Sequence, residues 1–189
     1  MVPVDWAGRR AFQDVLTSAR AGDDAAFAEL WRWLHPPLVR WLGVIAYGDV
    51  EDIESEVWLS VTRSLGSFTG DASDFRGWLF ALARRRAIDW GRRRRRQPST
   101  SALDSVEIAE RGELPSMHDD TEAALAMLRR LTVEQREVVA LRVIVGMSVR
   151  ETAAVVHRSE GAVRILCHRG LRALARHLDA DALADEVVP

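Results

Sequence analysis

The sequence predicts an all-α protein of two small helical domains joined by a flexible linker, the second domain containing a helix-turn-helix. Apolar residues recur at helical spacing along most of the chain, whereas strand patterns and turn dipeptides are few. Residues 97–118 mix Pro, Ser, Gly and acids with weak periodicity, as a linker does. The 189 residues are enough for one large domain or two small ones, and an apolar fraction of 48% can supply a core. We therefore predict domains at 1–96 and 119–178, an acidic linker at 97–118 and an acidic tail at 179–189.

Four helices are predicted in the first domain. The first covers about 10–20, and Asp23 or Asp24 caps the second, which runs to about Leu42. The third, 49–65, concentrates acidic residues in its first two turns, where the helix dipole favours anions. The fourth covers about 74–96. Its "WLFALA" segment is apolar on every side, which indicates either the centre of a bundle or aromatic residues that face a partner.

The second domain begins with a helix at about 120–130. Thr132 and Gln135 have capping-box spacing before the next helix, which Gly146 ends. Ser148 and Glu151 repeat that spacing before a short helix, 149–156. After the turn "HRSEG", a last helix covers about 160–178. A short helix, a tight turn and a longer helix are the layout of a helix-turn-helix.

Charge is strongly segregated along a chain whose formal net charge is only −2. Residues 76–96 carry a net +8 and residues 129–178 a net +6, and the segments around them are acidic. Two basic blocks predict two contacts with a polyanion. The alternative is that each block is a solvated surface.

The last helix divides into two faces at 100° per residue. One arc is apolar and is expected to be buried: Val163, Leu166, Cys167, Gly170, Ala173 and Leu174. The opposite arc holds Gly161, Arg164, Ile165, His168 and Arg172, with Arg158 and Arg169 at its edges. Arginines that can fork onto guanine or phosphate, and an isoleucine that can touch a thymine methyl, are typical of a DNA recognition helix. An ordinary surface helix is the alternative.

In the fourth helix, arginines alternate with Phe75, Trp78, Phe80 and Trp90. Melted nucleic acid requires cations for its phosphates and aromatic faces for its unstacked bases. Core packing is the alternative for the tryptophans, and a solvated helix end is the alternative for Arg92–Arg96. DNA would repel the acidic helix 49–65, so a basic or mixed protein surface is its expected partner.

Several classes of function are not supported by the residues. A single cysteine excludes an intrachain disulfide, and neither a signal peptide nor a membrane-length apolar run is present, so a cytoplasmic protein without membrane insertion is expected. The five histidines do not cluster with acids at catalytic spacing, so no enzyme, cofactor or small-molecule substrate is predicted. No metal site is predicted either; the alternative, zinc bound by Cys167, His168 and His177, competes with a cysteine that is simply buried.

Over about residues 20–178 the chain resembles bacterial extracytoplasmic-function sigma factors, the two-domain promoter-specificity subunits of RNA polymerase. Four blocks carry the resemblance in order: "GDDAAFAELW", "DVEDIESEVWLSV", "FRGWLFALARRRAIDWGRRRRR" and "LRRLTVEQREVVALRVIVGMSVRETAAVV" with its following "EGAVR" and "HRGLRAL". The chain departs from common family residues at Ser55, Arg85, Ala162 and Leu166.

The resemblance implies a role for each block. The residues implied to bind core RNA polymerase are Asp49, Glu51, Asp52, Ile53, Glu56 and Trp58. Those implied to recognise and melt the minus-ten element are Phe75, Trp78, Arg84, Arg85, Arg86, Asp89, Trp90, Arg92, Arg93, Arg94, Arg95 and Arg96. Those implied to bind the duplex minus-thirty-five element are Arg158, Ser159, Glu160, Gly161, Arg164, Ile165, His168, Arg169 and Arg172.

The implied function is to bind core RNA polymerase, direct it to specific promoters and help melt the minus-ten element. Family members are commonly held inactive by an anti-sigma factor, so such a partner is expected as well. The rival hypothesis is a helix-turn-helix regulator that binds duplex DNA alone. Such a regulator needs neither the acidic helix nor the helix that alternates aromatic residues with arginine.

Overall fold

A computed structural model describes residues 9–46, 50–96 and 119–185 of the chain. Within these ranges all regular structure is helical, as the sequence predicts. The helices are α1 (Arg9–Arg20), α2 (Asp24–Ile45), α3 (Val50–Ser64), a 3₁₀ turn (Leu65–Ser67), α4 (Ala72–Arg96), α5 (Asp119–Arg129), α6 (Val133–Val143), α7 (Val149–Val156) and α8 (Glu160–Asp185). The predicted linker and residues 186–189 of the predicted tail lie outside the described residues.

Helices α1–α4 form the N-terminal module. Asp23 caps α2, since its carboxylate accepts hydrogen bonds from the backbone N–H groups of Ala25 and Ala26 at 2.9 and 3.2 Å. One stripe of α2 is then buried, including Leu30, Leu34 and Leu38. These side chains pack with the inner faces of α1, α3 and α4.

The "WLFALA" segment of α4 lies in the centre of the helical packing. Leu79, Phe80 and Ala83 are fully buried, and the Phe80 ring meets Trp41 of α2 edge to face, with centroids 5.4 Å apart. Helix α3 packs on one side of α4 and α7 on another. This explains why the segment is apolar around most of its circumference, and the bundle-centre interpretation is the one that fits.

Local sequence signals define the helices of the C-terminal module, α5–α8. Thr132 caps α6 by accepting from the Gln135 N–H. Ser148 and Glu151 form the predicted reciprocal capping box at the start of α7. Gly146, with φ of 73°, ends the preceding segment in the left-handed region, which glycine tolerates best.

Helix α8 extends to Asp185, whereas the sequence predicted an end at about Leu178. Residues 179–185, "DADALAD", contain neither glycine nor proline, so nothing in them stops a helix. Part of the predicted tail therefore continues the recognition helix.

The two modules pack directly against each other. Helix α4 lies along α7, and α2 contacts α5 and α6. The sequence predicted two domains and a linker, but it contained no signal for this contact.

Candidate nucleic-acid and protein interfaces

The predicted duplex-binding residues form one exposed surface in the C-terminal module. Arg158 and Ser159 lie in the turn before α8, and the other seven lie on α8 itself. All nine are exposed, including Ile165, whose relative exposure is 53%. Ser159 also caps the helix, because its hydroxyl accepts from the Ala162 N–H at 3.2 Å.

Two of these arginines have acidic neighbours. Arg164 donates to Glu160 at 2.8 Å, one turn earlier on α8, and Arg158 donates to Glu134 of α6 at 2.5 Å. Both pairs are exposed, so water and phosphate compete with them readily. The surface can therefore exchange these carboxylates for the phosphates or base edges of a duplex.

The opposite face of α8 is held tightly on α6. Val163 and Gly170 are buried, while Leu166, Cys167, Ala173 and Leu174 are half-buried. A Cβ added at Gly170 would lie 2.7 Å from Val139 Cγ2, so only glycine allows this approach of the helices. The two arcs of α8 are thus divided as the sequence predicted.

The arginines of α4 point in three directions. Arg85, Arg92 and Arg96 share one exposed face. Arg86 and Arg93 turn toward α3, where their nearest nitrogens lie 3.8 and 3.9 Å from the Glu56 carboxylate. Arg94 is exposed, and Arg95 lies in the same last turn of the helix.

The side chain of Arg84 points in the third direction, toward the C-terminal module. Its Nε lies 2.5 Å and its Nη2 3.2 Å from the two carboxylate oxygens of Glu137 on α6. Arg76 lies on the same side of α4 two turns earlier. Its Nη1 is 3.3 Å from Oε1 of Glu151 on α7. The C-terminal module therefore contacts α4 through charged groups as well as apolar ones.

The aromatic residues of α4 are less accessible than the sequence suggested. Phe75 is fully buried against Phe68 and Trp78, which corrects the expectation that it contacts DNA directly. It packs between α4 and the preceding loop, so its effect on a ligand would be indirect. Trp78 and Trp90 are half-buried, and exposed Asp89 lies 3.7 Å from Arg92.

The predicted polymerase-binding helix divides into an acidic outer face and an apolar inner face. Glu51 and Asp52 are exposed and Glu56 is half-buried, whereas Asp49 lies outside the described residues. Ile53 and Trp58 are buried in the core, where the Trp58 ring meets Phe27 of α2, so both expected direct contacts need correction.

Sequence reasoning missed Leu59 on this outer face. Its relative exposure is 55%, and it lies one turn after Glu56 and two after Asp52. The signal was available, since its spacing from Ile53, Val57 and Val61 puts it opposite the apolar stripe of α3. Leu59 therefore shares the outer face of α3 with the carboxylates that are predicted to bind polymerase.

Residues 9–46, 50–96 and 119–185 contain no group of three or more His, Cys, Asp or Glu side chains arranged to hold a metal ion. In the same ranges, no helix combines the length and apolar character needed to cross a membrane.

Comparison with known proteins assigns both modules. The family Sigma-70 region 2 matches residues 27–97, and the family Sigma-70, region 4 matches residues 121–174. The ECF RNA polymerase sigma factor BldN of Streptomyces coelicolor is 34% identical over 175 residues, 89% of this chain and 66% of BldN. The ECF RNA polymerase sigma factor SigX of Bacillus subtilis is 34% identical over 148 residues, 72% of this chain and 76% of SigX.

A solved structure agrees with this assignment. CnrH, in complex with the cytosolic domain of CnrY, is similar with a TM-score of 0.65 and 27% sequence identity over 90% of this chain and 99% of CnrH. The two helical modules, the helix-turn-helix and these matches lead to one conclusion: the chain belongs to the extracytoplasmic-function sigma factors, which bind RNA polymerase and direct it to promoters.

Proposed function

We propose that this sigma factor uses three separate surfaces to bind polymerase and the two promoter elements. The outer face of α3 binds core RNA polymerase, α4 binds and helps to melt the minus-ten element, and the exposed face of α8 binds the duplex minus-thirty-five element. The main observation in support of this proposal is that one chain presents an acidic face on α3 together with basic faces on α4 and α8. A regulator that binds only duplex DNA would need α8 alone.

For the polymerase surface, the proposal names Glu51, Asp52, Glu56 and Leu59. The carboxylates would steer the helix toward a basic protein surface, and Leu59 would supply an apolar contact that becomes buried on binding. Ile53 and Trp58 would support this face from the core. The half-buried Glu56 differs from the others because it lies close to Arg86 and Arg93.

For the promoter surfaces, exposed Arg85, Arg92 and Arg96 would hold phosphates along α4. Trp78 and Trp90, each with part of its ring accessible, are the candidates for stacking on unpaired bases. On α8, Arg164 and Ile165 lie at the centre of the exposed face and are the candidates for base contacts. Arg158 and Arg169 at the edges of this face, and Arg172 further along the helix, would hold phosphates.

The proposal also covers partners and location. A protein partner that holds the sigma factor inactive, an anti-sigma factor, is supported by the family and by the similar structure of CnrH bound to CnrY. The chain would act in the cytoplasm with polymerase, and it would contribute binding and positioning rather than a catalytic group of its own.

The whole proposal is tested by transcription in vitro. Core RNA polymerase is incubated with a library of genomic fragments from the source organism, with and without the purified full chain, and transcript starts are mapped. Specific starts that require the chain are expected. A chain that neither binds core polymerase nor directs any specific start would sink the proposal.

The polymerase surface has a separate test. Glu51→Arg with Asp52→Arg reverses two exposed charges and is expected to weaken core binding about tenfold or more. Leu59→Ala is expected to weaken it by about 1–2 kcal/mol with little change in stability, since the side chain is exposed. Asp14→Arg, at an exposed position of α1, is the matched control and should leave core affinity unchanged. If the parent chain and all three variants bind core polymerase with equal affinity, α3 is not the polymerase-binding surface.

A further inference from the structure

The segment between α3 and α4 carries an aromatic residue that supports Trp78. This segment covers residues 65–71, from the 3₁₀ turn to the start of α4. The centroid of its Phe68 ring lies 5.5 Å from that of Trp78 and 5.3 Å from that of Phe75. Phe75 in turn lies 5.6 Å from Trp78. Because Phe75 is fully buried and Trp78 is half-buried, these three rings form an aromatic cluster with Trp78 at its accessible edge.

Helix α1 contacts both ends of this segment. At one end it packs on the 3₁₀ turn, where a Cβ added at Gly66 would lie 3.9 Å from the Arg20 carbonyl oxygen. At the other end, Oε1 of Gln13 accepts a hydrogen bond from the Ala72 N–H at 2.9 Å. Gln13 and Arg20 lie about 10 Å apart along α1, at ~1.5 Å per residue. One helix therefore fixes the two ends of the segment relative to each other.

The bond from Gln13 satisfies a backbone group that α4 cannot satisfy itself. Ala72 is the first residue of α4, and the first N–H groups of a helix have no partner within the helix. The Asp71 carboxylate accepts from the Asp74 N–H at 2.9 Å, and the Asp74 carboxylate accepts from the Asp71 N–H at 3.1 Å. These two bonds are local to the first turn. Gln13 lies 59 positions from Ala72 and ties that turn to α1.

Loss of this bond would reach Trp78 through Phe68. Gln13 and Ala72 are half-buried, so water can replace a lost acceptor only in part. An unpartnered N–H at the start of α4 would let the segment 65–71 shift, and Phe68 would shift with it. Trp78 would then lose one of the two rings that orient it. A side chain that must lie flat on a ligand depends on such supporting contacts.

We propose that Gln13 is a positioning residue for the minus-ten element. Its bond to the Ala72 N–H holds the aromatic cluster in place, so that the accessible part of Trp78 can stack on an unpaired base. The effect on Trp78 stands on the contacts within the chain, whereas its consequence for DNA rests on the proposed function. Gln13 precedes residues 27–97, the range that matches Sigma-70 region 2, so that match does not assign this role.

The orientation of Trp78 is tested first in the full chain without DNA. Gln13→Met keeps the length of the side chain and removes the oxygen acceptor, whereas Gln13→Glu keeps an oxygen that can accept the same bond. In chain labelled with fluorotryptophan, the fluorine resonance of Trp78 is identified by its loss in Trp78→Phe. Gln13→Met should shift or broaden this resonance and speed hydrogen exchange of the Ala72 N–H about threefold to tenfold. Gln13→Glu should resemble the parent in both measurements.

The consequence for DNA is measured with polymerase holoenzyme and the unpaired non-template strand across the minus-ten element of a promoter mapped by transcription in vitro. Trp78→Ala should weaken binding about fivefold or more, because stacking on a base is lost. Gln13→Met should weaken it about threefold to tenfold, and Gln13→Glu should bind like the parent. In the Trp78→Ala background, Gln13→Met should have almost no further effect, since Gln13 acts through Trp78.

A matched control and three outcomes decide the inference. Gln135→Met makes the same change at a half-buried glutamine of α6 and should alter neither the Trp78 resonance nor binding of the unpaired strand. An unchanged Trp78 resonance in Gln13→Met overturns the positioning role, whatever the DNA measurement shows. Fully additive losses from Gln13→Met and Trp78→Ala, or equal losses in Gln13→Met and Gln13→Glu, also overturn it. A shifted resonance together with full binding by Trp78→Ala instead contradicts the stacking role in the proposed function.

Discussion

Helices α4 and α8 carry most of the positive charge proposed to bind DNA, yet they differ in how much of their surface is buried. Helix α8 buries one arc on α6 and exposes the whole opposite arc, with every predicted contact residue accessible. Helix α4 packs on α3 along one side and on α7 along another, and its predicted contact residues range from buried Phe75 to exposed Arg92.

The difference shows what each helix can offer a ligand without rearrangement. The exposed face of α8 is ready for a duplex, because only exposed ion pairs need to be exchanged. The face of α4 is divided, and the guanidinium of its half-buried Arg84 is paired with Glu137 of the C-terminal module. Substitutions in α4 should therefore affect stability and DNA binding together, whereas those on the outer face of α8 should affect DNA binding alone.

The strongest test of this comparison replaces one apolar residue in each helix. Phe80→Ala removes a fully buried ring that meets Trp41 and should cost about 3–5 kcal/mol of unfolding free energy. Ile165→Ala on α8 should change stability by less than about 0.5 kcal/mol, because more than half of the side chain is exposed. Urea unfolding monitored by circular dichroism measures both values, and similar losses in the two variants would contradict the distinction.

Two glycines of α8 test its two faces with the smallest possible side chain. Gly170→Ala places a Cβ against Val139 and should destabilise the C-terminal module by about 1–3 kcal/mol. Gly161→Ala meets only Ser159 Oγ, at 4.0 Å, so it should be neutral or stabilising by up to about 1 kcal/mol. Thermal unfolding of the two variants should therefore shift in different directions, and a loss of stability at Gly161 equal to that at Gly170 would be inconsistent with an exposed outer face.

Arginines on the two helices should differ in the kind of DNA contact they make. Arg164→Ala is expected to cost about 1–3 kcal/mol at a single base pair of the minus-thirty-five element. Arg92→Ala on α4 should instead weaken promoter binding by polymerase holoenzyme uniformly and reduce its salt dependence by about one counterion. Holoenzyme binding to a set of promoter variants at several salt concentrations separates these effects. Sequence-dependent loss for Arg92→Ala would place base recognition on α4 as well.

Much of the fold followed from local signals in the sequence. The capping box of Ser148 and Glu151 set the start of α7, and the two arcs of α8 followed from helical periodicity. The apolar "WLFALA" segment indicated either a buried helix or a partner surface, and the structure supports the buried alternative. These features depend on residues within one or two turns of each other, which is why the sequence alone was sufficient.

Contacts between distant residues were not predictable in the same way. Arg84 and Glu137 are 53 positions apart, and nothing local marks either as a partner of the other. Ile53 and Trp58 belong to a motif that the family resemblance assigned to polymerase as a unit, whereas burial separates its members into an inner and an outer face. Residue-by-residue transfer of a role overlooks this distinction, and Leu59 was missed for the same reason.

The smallest expected effect concerns pH and again separates α4 from α8, since Glu151 is bound by Arg76 and Ser73 of α4. Burial alone would raise the pKa of Glu151, but hydrogen bonds from Ser148, the Arg76 guanidinium and the Ser73 hydroxyl outweigh burial and lower it from the usual 4.5. A carboxylate whose pKa is depressed on folding contributes stability above its unfolded pKa and loses it as pH falls through the folded value. The difference in unfolding free energy between the parent and Glu151→Gln should thus be constant from pH 7 to about pH 5.5 and shrink below pH 4.5. Titration of the other carboxylates cancels in this difference, so a gap that stays constant down to pH 3 would show that Glu151 is not held by these partners.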